Sequence, residues 1–132
     1  MPLSQQAAAI VRSILTTRDD GFLFSDDGKY PISPNRMIGA LYRLGYRGRQ
    51  TVHGFRGLAS TWANEELTET ADPRNPLRRY DCDWIEMQLA HVEGNGVRRA
   101  YNAALYLVPR RYMLQDWADA IDIWQNETAG SP

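Results

Sequence analysis

Residues 51–62 of the chain read TVHGFRGLASTW. Thr51 belongs to the residue types that cap helices. Apolar side chains then recur at helical spacing, at Phe55, Leu58, Ala59 and Trp62. The stretch therefore predicts the start of an amphipathic helix, whose body we expect from about residue 54 to residue 67.

Two side chains in the first turn of this helix suit phosphate binding. His53 and Arg56 are three residues apart, so they project from neighbouring positions. A helix N-terminus favours anions, arginine offers a planar fork of donors, and histidine can donate or accept a proton near neutral pH. The simpler interpretation is that His53 caps the helix and Arg56 forms a surface ion pair. The motif alone does not separate the two.

Bulk composition indicates one globular domain or part of one. The chain has 132 residues, of which 43% are hydrophobic and 23% charged. Cys82 is the only cysteine, which excludes an intrachain disulfide and indicates an intracellular location. No apolar run approaches the length of a membrane span. The net charge of −1 gives no overall support to nucleic-acid binding. A neutral total can still hide a basic face, formed by Arg43, Arg47, Arg49, Arg56, Arg98 and Arg99.

The pattern along the chain predicts a mainly α fold. Caps, prolines and glycines bound the predicted helices, which cover residues 5–15, 34–44, 54–67, about 81–91, 97–105 and 109–124. At most a short strand is expected near Phe22–Phe24. Residues 1–132 are expected to form a single partial domain, with an ordered core over 1–127 and a frayed tail over 128–132. The four tryptophans, Trp62, Trp84, Trp117 and Trp124, are expected in the core.

Three elements line up in sequence order: the His53–Arg56 pair, then His91, then Tyr101. A tyrosine can attack a DNA phosphodiester and hold the broken end as a phosphotyrosine. That step needs a cation near the phosphate and a proton donor for the leaving 5′ oxygen. Arg56 suits the first task, and both histidines suit phosphate hydrogen bonding or proton transfer. The step needs no metal, and one cysteine with two scattered histidines is a poor ligand set.

The chain resembles the C-terminal catalytic part of the tyrosine recombinases, the phage integrase family, and in particular the prophage and genomic-island integrases. Six stretches carry the resemblance and cover nearly the whole chain in order: PLSQQA (2–7), LYRLGY (41–46), HGFR (53–56), IEMQLAH (85–91), AYNA (100–103) and MLQDWAD (113–119). The resemblance implies site-specific DNA recombination through a 3′-phosphotyrosyl intermediate, without a cofactor.

The resemblance also implies residue roles. His53 and Arg56 match the family's His-x-x-Arg pair, His91 its following histidine, and Tyr101 its nucleophile. Tyr106 is the alternative nucleophile, and Tyr112 a more distant one. Five arginines are expected to contact the DNA backbone, with solvated surface as the equal alternative: Arg43, Arg47, Arg49, Arg98 and Arg99.

The chain also departs from the family pattern. The family site uses an earlier arginine and a lysine on a β-hairpin, and both would precede Met1. Lys29 and Arg12 do not match them. We therefore expect a fragment that lacks the N-terminal DNA-binding modules and is inactive by itself.

The implied partners are double-stranded DNA at attachment sites and other integrase protomers, the latter through the C-terminal helix 110–125. No membrane partner is expected, and the implied location is the cytoplasm, at the nucleoid. The second hypothesis is a catalytically inactive helical module that only binds DNA or other protomers.

Overall fold

The computed structural model describes residues 2–17, 21–68, 77–89 and 106–130. Five helices and two short strands form the secondary structure of these residues. The helices are α1 (Gln5–Leu15), α2 (Pro34–Arg43), α3 (Val52–Glu65), α4 (Cys82–Leu89) and α5 (Leu107–Ala129), and the strands are β1 (Leu67–Thr68) and β2 (Leu77–Arg78). The predicted mainly α fold is confirmed. No described helix combines the length and apolar character needed to cross a membrane.

Local signals set the ends of α2. Ser33 occupies the N-cap position, and Pro34 opens the helix, where its missing N–H leaves no hydrogen bond unmade. At the other end Leu44 is the C-cap, and Gly45 has a φ of 85°, a left-handed conformation that suits glycine. The observed helix therefore ends one residue before the predicted one, and α1 coincides with its prediction.

The last two helices begin near their predicted starts. Asp81 caps α4, because its Oδ1 accepts a hydrogen bond from the Asp83 N–H at 2.7 Å. The helix α5 begins two residues before Pro109, since a proline is tolerated anywhere in the first turn. It also continues to Ala129, into the segment expected to fray, and the Thr128 hydroxyl donates to the carbonyls of Trp124 and Gln125. The predicted helix 97–105 lies outside the described residues.

The strand expected near Phe22–Phe24 is not found. The Phe22 N–H donates to the Gly28 carbonyl at 3.1 Å and the Ile32 N–H to the Phe24 carbonyl at 2.9 Å, which closes a loop without forming a strand ladder. The described strands β1 and β2 pair antiparallel elsewhere, with Leu67 opposite Arg78.

The described residues group into two compact units, and the single partial domain stays a prediction. One unit contains Gln5–Leu58, and the other contains residues 2–4 and the described residues from Ala59 onward. The helix α3 contributes its first half to one unit and its second half to the other.

The unit that begins at Ala59 has a buried core. Ile85 is 2% exposed and packs with Ala63, Tyr80 and Met113. Two tryptophans extend this cluster: the ring of Trp62 lies 5.5 Å from that of Tyr80 and 5.1 Å from that of Trp117. The predicted core position of Trp124 is wrong: it packs edge-on against Trp117 but is 42% exposed, because α5 runs on beyond the core.

The unit Gln5–Leu58 buries little apolar surface. Three apolar residues at the second helix show this: Met37 and Ile38 are exposed, and Leu44 is 71% exposed. Leu44 sits at the helix C-cap beside the turn of Gly45, so its side chain leaves the helical stripe.

A buried tyrosine links β2 to α5. The Tyr80 hydroxyl donates to Asp116 Oδ2 at 2.8 Å, and the Arg79 guanidinium donates to the same oxygen at 2.9 Å. Burial, with the hydrogen bond and charge of Asp116, raises the pKa of the Tyr80 hydroxyl well above its ordinary value of 10.0. At a pH somewhat above 10, the phenol of Tyr80 therefore stays protonated in the folded chain, whereas in the unfolded chain it would lose its proton.

This arrangement predicts a loss of stability at alkaline pH. Because the folded pKa is raised, the contribution of Tyr80 is complete below pH 10 and declines as the pH rises above it. Tyr80→Phe is expected to lower the free energy of unfolding by about 1–2 kcal/mol at about pH 8 and by clearly less at about pH 11. Urea unfolding at both pH values measures the two differences. Tyr112→Phe, at an exposed position, is the control. An equal difference at both pH values would contradict the prediction.

Candidate functional site

The start of α3 is capped by neighbours of the predicted site. The Gly54 N–H donates to the Thr51 hydroxyl at 2.9 Å, and the Thr51 N–H donates to Gln50 Oε1 at 3.0 Å. Thr51 therefore performs the N-cap role, and the alternative that His53 caps the helix is not found.

Gly54 makes this cap possible. A Cβ at this position would lie 1.9 Å from Gln50 Oε1 and 2.9 Å from Gln50 Cδ. The side chain of Gln50 can fold over the helix start only because residue 54 has no side chain. Any larger residue would displace it and remove one hydrogen bond.

His53 and Arg56 lie on the first two turns of α3. His53 is exposed and Arg56 is half-buried. Within the described part of the chain, no hydrogen bond or ion pair joins either side chain to another residue. The alternative interpretation of Arg56 as an ion-pair residue therefore has no support there. Their spacing puts an imidazole and a guanidinium at neighbouring positions near a helix N-terminus, a place that favours anions.

Two other arginines of the same unit interact with a residue of the chain. Arg36 forms an ion pair with Asp26, so its charge is matched within the chain. The guanidinium of Arg47 lies over the ring of Tyr42, 5.3 Å from its centroid. Arg43, Arg47 and Arg49 are all exposed, consistent with either DNA contact or solvation.

The segment between α2 and α3, which carries Arg47 and Arg49, is built from tight turns. Gly45 and Gly48 both have positive φ, and the N–H groups of Arg49 and Gln50 both donate to the Tyr46 carbonyl. These turns carry Arg47 and Arg49 towards the start of α3.

The remaining predicted site residues cannot be compared with this geometry. His91, Arg98, Arg99 and Tyr101 lie outside the described residues. Of the alternative nucleophiles, Tyr112 is exposed on α5. Tyr106 is half-buried at the N-cap of α5, with φ 44° and ψ 41°, a left-handed conformation that is uncommon for a bulky side chain.

Sequence reasoning missed a buried arginine. Arg110 is 6% exposed, and its Nε and Nη2 donate to Gln88 Oε1 at 3.1 and 2.9 Å. Burial lowers the pKa of its guanidinium. The bonds join the C-terminal end of α4 to the N-terminal end of α5, the helices on either side of residues 90–106. The sequence does indicate the burial of Arg110. It lies three residues before Met113 and seven before Trp117, so helical spacing places it on the same face as these apolar residues.

A small apolar cavity lies among the described residues of the unit that begins at Ala59. Apolar side chains of α3, α4 and α5, among them Trp62, Ile85 and Met113, line a cavity of about 30 Å³. Ligand pockets are typically at least ten times larger. Within the described residues, no group of three or more His, Cys, Asp or Glu side chains is arranged to hold a metal ion.

The sequence is similar to integrases of phages and prophages. It is 42% identical over 125 residues to prophage integrase IntZ of Escherichia coli K12, covering 92% of this chain and 28% of the relative. It is 36% identical over 126 residues to the integrase of Shigella phage Sf6, covering 92% and 30%. It is 34% identical over 133 residues to the integrase of Enterobacteria phage P4, covering 96% and 28%.

The chain thus spans under a third of the length of these relatives. No model of a known protein family matches it, and no solved structure does.

Proposed function

We propose that this chain, which belongs by sequence to the phage and prophage integrases, is part of the catalytic domain of a tyrosine recombinase. The whole protein would integrate DNA at attachment sites by cutting and rejoining strands. The observation that carries the proposal is the pair His53 and Arg56, held at a capped helix start with no partner among the described residues. Chromosomal DNA as substrate implies action in the cytoplasm.

In the proposed reaction the Tyr101 hydroxyl attacks a DNA phosphorus atom. The bond from the tyrosine oxygen to phosphorus forms as the bond to the 5′ oxygen breaks. The tyrosine gives up its hydroxyl proton and the leaving 5′ oxygen takes one up, so no net proton is gained or lost. The DNA end remains attached as a 3′-phosphotyrosine, and attack by a 5′ hydroxyl reverses the step. Arg56 would neutralise the charge that develops on the phosphate oxygens, and His53 and His91 would donate hydrogen bonds or a proton.

Covalent trapping tests the proposal. In a chimaera, this chain replaces the matching 125 residues of the prophage integrase IntZ. The chimaera is incubated with a nicked duplex on which the unmodified integrase forms a covalent adduct. A DNA-linked band that survives denaturation supports a recombinase. Salt-sensitive DNA binding without an adduct would favour the inactive binding module instead.

Arg56 gives a test in the isolated chain. Arg56→Ala is expected to weaken binding of a short duplex about tenfold, because it removes a charge-assisted hydrogen bond of about 1.5–3 kcal/mol. The slope of log K against log salt should also fall by about one. Fluorescence anisotropy across a salt series measures both.

Arg36→Ala is the matched control, since Asp26 already neutralises that arginine in the same unit. Equal binding by the two variants would remove Arg56 from the DNA site.

The proposal includes other integrase protomers as partners, through the end of α5. Ile123 and Trp124 are apolar and exposed there, which supports such a contact. Sedimentation of the chain across concentrations tests it, and a monomer at every concentration would count against it.

A further inference from the structure

The helix α3 contains two glycines. Contacts among the described residues explain why a glycine is needed at only one of them. Gly54 makes room for the side chain of Gln50. Gly57 has no comparable reason. Its φ is not left-handed, and a Cβ built on it would meet no atom of the described residues within 4 Å. Neither its backbone conformation nor its packing against the described residues requires a glycine there.

A glycine inside a helix is unfavourable by itself. Relative to alanine it lowers the stability of the helix, because a glycine loses more backbone freedom on folding. An alanine would fit at position 57 without a clash. The feature that favours glycine at this position is therefore expected outside the described contacts.

The neighbours of Gly57 indicate what that feature is. Arg56 precedes it, and His53 lies four residues earlier, about one turn along the helix. Both side chains are without a partner among the described residues. At Gly57 the helix backbone is bare beside these two groups, so a ligand that they bind can approach the helix more closely than a side chain would allow.

We propose that Gly57 is a close-approach position for the DNA backbone. The sugar-phosphate strand would lie against α3 at residue 57, which brings a phosphate within hydrogen-bond distance of Arg56. A methyl group would fill this space and lengthen the hydrogen bonds, which weaken steeply with distance. The inference rests on the proposed DNA-binding function. It adds Gly57, a residue without a side chain, to the proposed DNA-binding site.

The test is Gly57→Ala in the full 132-residue chain, with a short duplex as the probe. The melting temperature is expected to rise by about 3 °C, because alanine favours the helix. Affinity for the duplex is expected to fall about tenfold. A purely structural role could not move stability and binding in opposite directions.

Gly39→Ala is the matched control. Gly39 is also inside a helix, and its added Cβ would make only an ordinary contact with Arg43 Nη1 at 3.6 Å. This variant should become more stable and bind DNA as the unmodified chain does.

Each other outcome overturns the inference. If Gly57→Ala binds DNA normally, the space is not used by DNA. If its melting temperature falls, another part of the chain packs there. If the unmodified chain shows no binding that depends on Arg56, the proposed function fails first, and the inference fails with it.

Discussion

Tyr101→Phe is expected to abolish the covalent DNA adduct of the chimaera. Phenylalanine has the same ring but no hydroxyl oxygen, so no bond to phosphorus can form. DNA binding should change little, since the proposed phosphate contacts come from Arg56 and the histidines and not from Tyr101. Denaturing electrophoresis with labelled DNA measures the adduct, and anisotropy measures binding on the same samples. The expected result is an intact complex without a covalent band.

Two neighbouring tyrosines provide the controls. Tyr106→Phe and Tyr112→Phe should retain the adduct. Tyr106 is the more demanding control, because it begins α5 in a left-handed conformation and is half-buried. An adduct that persists in Tyr101→Phe and disappears in Tyr106→Phe would assign the nucleophile to Tyr106. Loss in all three variants would indicate damage to the fold.

Arg110→Ala is expected to destabilise the chain by about 2–4 kcal/mol. The change removes two hydrogen bonds to Gln88 Oε1, and it opens a cavity where the Arg110 side chain is only 6% exposed. It also separates the ends of α4 and α5, which flank residues 90–106. The melting temperature should fall by about 10 °C, measured by circular dichroism.

Arg111→Ala is the matched control, since the adjacent arginine is exposed. It should change the free energy of unfolding by less than about 0.5 kcal/mol. Arg110→Met keeps much of the aliphatic volume and removes the buried charge, so it separates packing from hydrogen bonding. A stability for Arg110→Ala equal to that of Arg111→Ala would show that the bonds to Gln88 contribute nothing.

The sequence predicted the ends of α1 and α2 to within one residue and the start of α4, because these ends depend on neighbouring residues. Pro34 and Gly45 bound α2 through the geometry of their own backbones, and Asp81 starts α4 with its own carboxylate. The pair His53 and Arg56 could also be placed in advance, because helical spacing alone puts them side by side.

Other features depended on contacts between distant parts of the chain. Leu67 pairs with Arg78, and neither residue has a local strand signal. Local pattern favoured a strand near Phe22, yet that segment closes a loop. Trp124 was expected in the core on composition alone, but α5 extends past the packed region. The exposure of a side chain depends on which helices and strands pack against it, and the residue type predicts that exposure only on average.

The sequence by itself determined the helical fold, the integrase resemblance and a histidine and arginine on one helix turn, because these follow from residue order and local geometry. Only the tertiary structure decided which charged groups have partners. It matched Arg36 with Asp26, buried Arg110 against Gln88, and left His53 and Arg56 unpaired among the described residues. The physical reason is that pairing requires side chains to come within hydrogen-bond distance, and for residues far apart along the chain that distance is set by packing.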